Sequence, residues 1–190
     1  MDAERVLVYD DADKYTDQKI VRTHFQYDIE EIRRTWEELS LVRLSSSQWY
    51  QNTQTMLQHS DSCTDPYTEG CGSIKRAHPR TEKDFRHLNP IYRGTIFENI
   101  LEEVGACRSR IMIKPKHTCY SLHSDRTGRY HLPIITNPQA FFVFTDPDNP
   151  RLATLDHIPA DGHVYWTNTT RTHSFLNGGD KRTHLVMCES

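Results

Sequence analysis

From Arg110 onward the chain is divided into short strand-like runs separated by turn residues. The eight runs cover residues 110–115, 118–123, 129–135, 139–145, 151–158, 163–168, 171–177 and 181–188. Short strands at this spacing, with Asp, Asn, Gly and Pro between them, are typical of a sandwich or a jelly roll. The second half is therefore predicted to be mainly β. A further strand-like run, residues 5–9, stands near the start of the chain.

Two amphipathic helices are predicted before these strands. Residues 28–41 place apolar side chains at helical spacing behind a capping box that begins at Asp28. The second helix is predicted to begin at Thr95, which forms a capping box with Glu98, and to end at Gly105. Because both helices carry an apolar face, we expect them to pack on the outer face of the sheet.

Residues 44–88 form a long polar segment in which Gly and Pro interrupt any periodicity. A polar segment of this length inside a compact domain is either functional or disordered. We interpret part of it as a cover over the mouth of a binding site, and a solvent-facing connection fits the pattern equally well. The polar candidates for contact with a substrate are His59, Asp61, Tyr67 and Glu69.

The length of 190 residues fits a single domain of ordinary size. We divide it into residues 1–109, with the helices and the polar covering segment, and residues 110–190, with the β core. Apolar residues make up 36% and aromatic residues 10% of the chain, which indicates a compact core carrying polar insertions. The formal net charge of −3, without a basic stripe, argues against nucleic acid as a partner.

The cysteines and the apolar pattern bear on where the protein works. The five cysteines (63, 71, 107, 119 and 188) match neither a redox pair nor a structural zinc site, so reduced thiols are expected. The first residues lack the pattern of a secretory signal, and no apolar stretch approaches the ~20 residues of a membrane span. We therefore expect a cytoplasmic protein without a membrane partner. The sequence leaves the oligomeric state open.

The clearest chemistry belongs to His123-Ser124-Asp125 and, fifty residues later, His173. Residues i and i+2 of an extended segment point to the same side, so His123 and Asp125 can bind one ion together. Two imidazoles and one carboxylate form a facial triad, which holds non-haem Fe(II) and leaves positions for substrate and O₂. We therefore predict a metal site formed by His123, Asp125 and His173.

Several motifs surround these residues in a fixed order. They are Arg129-Tyr130-His131-Leu132-Pro133-Ile134, Thr136-Asn137-Pro138, Gly162-His163-Val164-Tyr165-Trp166, Thr172-His173-Ser174-Phe175 and Lys181-Arg182-Thr183-His184-Leu185-Val186. In this order they resemble the aspartyl/asparaginyl β-hydroxylase-like branch of the Fe(II)/2-oxoglutarate oxygenases, over residues 110–188. The resemblance implies a double-stranded β-helix and a hydroxylase that uses Fe(II), 2-oxoglutarate and O₂. Its precedent for a substrate is the β-carbon of an Asp or Asn residue, while a free amino acid, another small molecule, a peptide or a protein remains open.

The resemblance also implies roles for further residues. Arg182 would pair with the far carboxylate of 2-oxoglutarate, and Arg129 and His131 would lie at its metal-binding end. Zn²⁺ suits the same ligands, so a zinc hydrolase and a cupin-like metal-binding protein without turnover are alternatives. Neither needs a guanidinium at the position of Arg182, whereas a dicarboxylate does. Arg126 and Arg171 flank the predicted site, where they would bind an acidic substrate group or stay solvated.

The last two predicted strands are separated by residues 178–179, both Gly, which favour a two-residue hairpin turn. In that register Phe175 pairs with Arg182 and His173 with His184, so Arg182 lies diagonally beside His173. We therefore expect these strands to be neighbours in one sheet. For His184 we expect no role beyond hydrogen bonding within the strand.

Overall fold

The computed structural model describes residues 18–41, 46–74 and 80–190, and the strand predicted over residues 5–9 lies outside these ranges. The described helices are α1 (Ile29–Leu41) and α2 (Ile96–Val104). The described strands are β1 (Ile20–Gln26), β2 (Gln54–Met56), β3 (Gln58–His59), β4 (His87–Leu88), β5 (Cys107–Lys114), β6 (Thr118–Cys119), β7 (Arg129–Ile135), β8 (Ala140–Thr145), β9 (Ala153–Asp156), β10 (His163–Thr167), β11 (His173–Asn177) and β12 (Arg182–Cys188). Short 3₁₀ turns cover Ser46–Gln48, Glu82–Asp84 and Pro90–Tyr92. The mainly β prediction for the second half is confirmed, whereas β1 to β4 were not predicted.

The strands form two antiparallel sheets that pack against each other, together with the small β3–β4 pair. The larger sheet has the order β1-β10-β7-β12-β5-β2, and the smaller has the order β6-β11-β8-β9. From β5 to β12 the chain passes from one sheet to the other at every connection except β8–β9, which is a hairpin. The space between the sheets is therefore lined by residues from both.

The two helices cover the outer face of the larger sheet, as expected from their apolar faces. Ile32 of α1 and Phe97 of α2 are fully buried in one cluster with apolar side chains of β5, β7, β10 and β12. The hydroxyl of Thr95 accepts a hydrogen bond from the Phe97 amide, and Gly105 ends α2 in the left-handed conformation. Neither helix in the described ranges is long and apolar enough to cross a membrane.

The predicted hairpin between β11 and β12 is wrong. Strand β11 pairs with β6 on one edge and with β8 on the other, so no edge is left for β12, which pairs with β5 and β7 in the larger sheet. The connection is held instead by side-chain amides. Asn177 Nδ2 donates to the carbonyls of Lys114 and Asp180, and Asn137 Nδ2 donates to the same Asp180 carbonyl at 2.7 Å.

The two-residue period of β12 places its polar residues between the sheets. Leu185 and Met187 point outward into the helix-covered core. The alternate residues Arg182, His184 and Val186 are therefore directed inward. This alternation explains how an arginine and a histidine become buried in the space that contains the candidate site.

Candidate metal centre

His123, Asp125 and His173 meet where β11 begins. Each offers one ligand atom, and these atoms lie within 4.8 Å of one another. The backbones of His123 and His173 form an antiparallel bridge with N–O distances of 2.9 and 2.8 Å, and the Asp125 amide donates to the Thr169 carbonyl at 2.8 Å. Regular strand β6 ends at Cys119, so this single bridge, and not a continuous strand, holds His123 in place.

The hydrogen bonds of the two imidazoles fix which ring nitrogen is available. His123 Nδ1 lies 2.8 Å from the Ser121 carbonyl oxygen, and His173 Nδ1 lies 2.9 Å from the Arg171 carbonyl oxygen. Because a carbonyl can only accept, each Nδ1 carries the proton and each Nε2 keeps a lone pair. Burial, together with the neighbouring imidazole, lowers the pKa of His173, which favours the neutral ring. This donor set fits a divalent transition metal.

A cavity of about 530 Å³ lies beside the ligand cluster, between the two sheets. The structure brings all six of the predicted site residues to its wall: His123, Asp125, His173, Arg129, His131 and Arg182. The cavity is large enough for a small dicarboxylate together with part of a second molecule.

Arg182 is 3% exposed, and no carboxylate in the described part of the chain lies within ion-pair distance of it. Its guanidinium carbon stacks 3.8 Å from the centroid of the Phe175 ring, and its Nε has no hydrogen-bond partner in the described ranges. Burial lowers its pKa to about 9. A buried cation without a counter-charge is costly, so this group indicates an anionic partner that residues 18–41, 46–74 and 80–190 do not supply.

Arg129 differs from Arg182 because carboxylates surround it. Its Nη2 donates to Glu82 Oε1 at 2.7 Å, and its Nε lies 3.5 Å from Asp125 Oδ2. His131, two residues along β7, shares the inner face with it and lines the same cavity. The His131 ring lies edge-on to Phe142, with its Nδ1 unpartnered among the described residues.

Burial lowers the pKa values of His131 and His184 well below the ordinary value for an imidazole, so both rings are neutral. The ring centroids of the two residues lie 5.8 Å apart. Neither ring nitrogen of His184 has a partner in the described ranges, so the expectation that His184 is hydrogen-bonded within its strand is wrong. The His184 ring lies edge-on to the Phe175 ring, with the two centroids 5.9 Å apart.

The covering segment contributes to the cavity, but through residues other than the expected ones. His59, Asp61, Tyr67 and Glu69 do not line it. They pair within the segment itself, for example Asp61 with His87 at 2.9 Å and Glu69 with Arg80. The segment lines the cavity instead with Gln54, Gly72, Ser73, Ile74 and Glu82. Of the two flanking arginines, Arg126 reaches the cavity wall and Arg171 does not.

The cavity residues that were not identified from the sequence include Glu82, Arg110 and Tyr120. For Arg110 a signal was present, since it begins the strand predicted over residues 110–115. Glu82 lies in a stretch without periodicity, and only the folded chain shows that it pairs with Arg108 and Arg129.

No protein-family model and no curated protein matches the chain. Among solved structures, a prolyl-4-hydroxylase from Pseudomonas putida is similar over 94% of this chain and 96% of its own, with 11% identity and a TM-score of 0.50. At this identity the similarity shows that the two proteins share a fold. The class defined by fold and site is thus a two-sheet β protein with a cavity and a His/Asp/His cluster between its sheets.

Two weaker similarities accompany this one. An oxidoreductase of the 2OG-Fe(II) oxygenase family from Burkholderia pseudomallei is 20% identical, with a TM-score of 0.37, over 44% of this chain and 42% of its own. The match therefore spans less than half the length of that protein. A non-heme monooxygenase, in a complex of ThoJ with nickel, is 10% identical over 89% of this chain and 72% of its own, with a TM-score of 0.47. These two similarities say nothing further about this chain.

Proposed function

We propose that the chain is an Fe(II)- and 2-oxoglutarate-dependent dioxygenase that hydroxylates an unactivated C–H bond. The observation that carries this proposal is the buried Arg182, which has no ion-pair partner among the described residues and lies in the same cavity as the His123, Asp125 and His173 cluster. A metal-chelating anion with a second carboxylate satisfies both features at once. The shared fold with a prolyl-4-hydroxylase is consistent with this conclusion.

We also infer that the two sheets form a double-stranded β-helix, or jelly roll. Support comes from the eight strands β5 to β12, four of which fall in each sheet with crossings between them. A facial triad at the end of such a scaffold receives its ligands from separate segments. Here the loop after β6 supplies His123 and Asp125, and β11 supplies His173.

In this proposal His123 Nε2, Asp125 and His173 Nε2 hold Fe(II). The metal, with 2-oxoglutarate and O₂, supplies oxidising chemistry that amino-acid side chains lack. The side chains and backbone of the protein hold the metal ligands in position. The carbonyls of Ser121 and Arg171 orient the two imidazoles, and the Arg129 guanidinium, fixed by Glu82, stands beside the Asp125 carboxylate.

Arg182 binds the far carboxylate of 2-oxoglutarate, with the Phe175 ring beneath the guanidinium restricting its orientation. Because His131 is neutral, it offers a hydrogen-bond donor near the metal-binding end without adding a second positive charge there. The inward rings of Phe142 and Phe175 exclude water from the inner part of the cavity.

The rival functions, a zinc hydrolase and a metal-binding protein without turnover, do not explain a buried Arg182 that forms no ion pair within the described part of the chain. Assignment to the aspartyl/asparaginyl β-hydroxylase-like branch is part of the proposal and rests on the motifs from Arg129 to Val186. A small molecule, a peptide or a protein is the prime substrate that we propose, with no nucleic acid and no membrane as partner.

Anaerobic addition of Fe(II) and then 2-oxoglutarate tests this proposal. We expect a weak visible charge-transfer band, typical of a 2-oxo acid chelated to Fe(II), that saturates with 2-oxoglutarate. The His123→Ala variant is the matched control and should give no band. Wild-type protein that binds Fe(II) but gives no band with 2-oxoglutarate would contradict the proposed function.

A further inference from the structure

Arg110 of β5 is a second buried guanidinium in the cavity that forms no ion pair with a described residue. It is 6% exposed and lines the cavity wall. Its Nε has no partner in the described ranges, and its one hydrogen bond, from Nη1 to the Gly72 carbonyl, is long at 3.4 Å. No carboxylate in the described part of the chain lies within ion-pair distance of it.

The neighbouring Arg108 and Arg129, unlike Arg110, make several short hydrogen bonds and each form an ion pair. Arg108 donates to the Gly70 carbonyl at 2.9 Å and to Glu82 at 2.6 Å. Arg129 donates to the same Glu82 at 2.7 Å and to the Gly128 carbonyl at 3.0 Å. The Glu82 carboxylate thus forms ion pairs with two guanidiniums, whereas the third, Arg110, interacts with it only at longer range and forms no ion pair with it.

The surroundings of the Arg110 guanidinium favour the binding of an anion from outside the chain. A guanidinium carries a positive charge and five N–H donors, and it has no acceptor of its own. A buried charge that makes few hydrogen bonds is unfavourable unless a ligand supplies acceptors. Beside Arg110, Gln54 Oε1 accepts from the Gly72 amide, which leaves the Gln54 Nε2 donors available to the cavity.

The backbones of Arg110 and Arg182 lie well apart along the larger sheet. Arg110 stands opposite Val186, four residues along β12 from Arg182, which corresponds to about 13 Å at ~3.3 Å per residue. If 2-oxoglutarate chelates the metal and reaches Arg182, as the proposed function requires, Arg110 remains for a second molecule.

We propose that Arg110, assisted by Gln54, binds an anionic group of the prime substrate, a carboxylate or a phosphate. This inference rests on the proposed function and specifies the substrate class of the same site. The substrate is anchored at β5 by its charge, so that its uncharged part extends toward the metal ligands. Ile74 and Met112, which also line the cavity, provide apolar contacts for that part.

The test uses the full chain with Mn(II) in place of Fe(II) and with saturating 2-oxoglutarate, so that Arg182 is occupied. One arm titrates N-acetyl-L-glutamate N-methylamide, which carries a single carboxylate, and its neutral glutamine counterpart. The other arm titrates inorganic phosphate. Calorimetry should show that at least one anion binds ~10-fold or more tightly than the neutral compound, the scale of a charged hydrogen bond.

The Arg110→Met variant should lose this preference for an anion and keep its affinity for 2-oxoglutarate, whereas Arg182→Met should show the reverse. An anion preference that survives in Arg110→Met, or an absence of preference in the wild type, overturns the inference. So does a loss of 2-oxoglutarate affinity in Arg110→Met, because Arg110 would then hold the cosubstrate. If Arg110→Met does not fold, Arg110→Gln gives the same comparison.

Failure of the proposed function is distinguishable from failure of this inference. If wild-type protein binds neither Mn(II) nor 2-oxoglutarate, the proposed function fails. The anion and its neutral counterpart are then compared on the metal-free chain, where Arg110 is equally present. An anion preference that depends on Arg110 would still identify this residue as an anion site.

Discussion

The guanidinium carbon of Arg182 lies 3.8 Å from the centroid of the Phe175 ring, although the two residues belong to opposite sheets. The sequence predicted that they would be cross-strand neighbours in a hairpin. They meet instead across the interior, because both strands direct these residues into the space between the sheets. The same arrangement places Arg182 on the cavity wall that also carries His173.

Replacing Arg182 with Met should weaken 2-oxoglutarate binding by at least ~1.5–3 kcal/mol, the scale of a charged hydrogen bond, with little change in metal affinity. The measurement is a titration of 2-oxoglutarate into metal-loaded protein. Arg126→Met is a suitable control, since Arg126 lines the cavity but is exposed. An unchanged affinity in Arg182→Met would assign the far carboxylate to another basic residue, with Arg110 the first to test because Arg129 already pairs with Glu82.

Replacing His123, Asp125 or His173 with Ala should abolish metal-dependent turnover and leave the fold largely intact. The backbone bridge between His123 and His173 does not depend on the side chains, so the strand arrangement should survive. Metal affinity and 2-oxoglutarate consumption are the measurements, and circular dichroism reports the fold. His24→Ala, an exposed histidine outside the cavity, should behave as wild type. Full 2-oxoglutarate consumption by His123→Ala would end the assignment.

A large side chain at position 73 should weaken binding of the prime substrate but not of 2-oxoglutarate. Ser73 is exposed and lines the cavity, so Ser73→Trp should raise the KM of an identified prime substrate ~10-fold or more, the scale of a pocket misfit, without changing 2-oxoglutarate affinity. His59→Trp is the matched control, because His59 lies in the same segment but away from the cavity. Equal effects of the two variants would show that the segment acts through its overall stability and not through contact.

The alternation of inward and outward side chains along a strand predicted the features of the fold that depend on local backbone geometry. Strand β7 has the bounds expected from the sequence, and the period of two placed Arg129 and His131 on one face. The spacing of His123 and Asp125 likewise identified two of the three residues in the ligand cluster. These features depend only on residues that are close in sequence.

Features that depend on distant partners were not predictable in this way. Whether β12 joins β11 is decided by which strands already occupy the edges of β11, and a Gly-Gly turn carries no information about that. Strands β3 and β4 have two residues each and exist only because they pair with each other. The partners of Glu82 are set by tertiary packing of an aperiodic segment.

Glu82 joins the covering segment to the β core, and its removal should be costly. Its carboxylate accepts from Arg108 at 2.6 Å and from Arg129 at 2.7 Å, with all three side chains largely buried. The variant Glu82→Gln leaves the buried Arg108 without an ion pair and Arg129 with Asp125 alone, so we expect a loss of about 3–5 kcal/mol in the free energy of unfolding at neutral pH. Glu102→Gln, on the exposed side of α2, is the control.

The same ion pairs predict a specific dependence on pH. Burial alone would raise the pKa of Glu82, but Arg129, Arg108 and Arg110 outweigh it and lower the pKa below the ordinary value of 4.5. The unfolded chain therefore takes up the proton first as pH falls, so the stabilisation is fully present above pH 4.5 and is lost as pH falls through the lower pKa of the folded state. Urea unfolding of wild type and Glu82→Gln should accordingly differ by a constant amount above that pH and by progressively less below it. A difference that stays constant through the acid range would show that Glu82 stabilises the fold by packing and not by its charge.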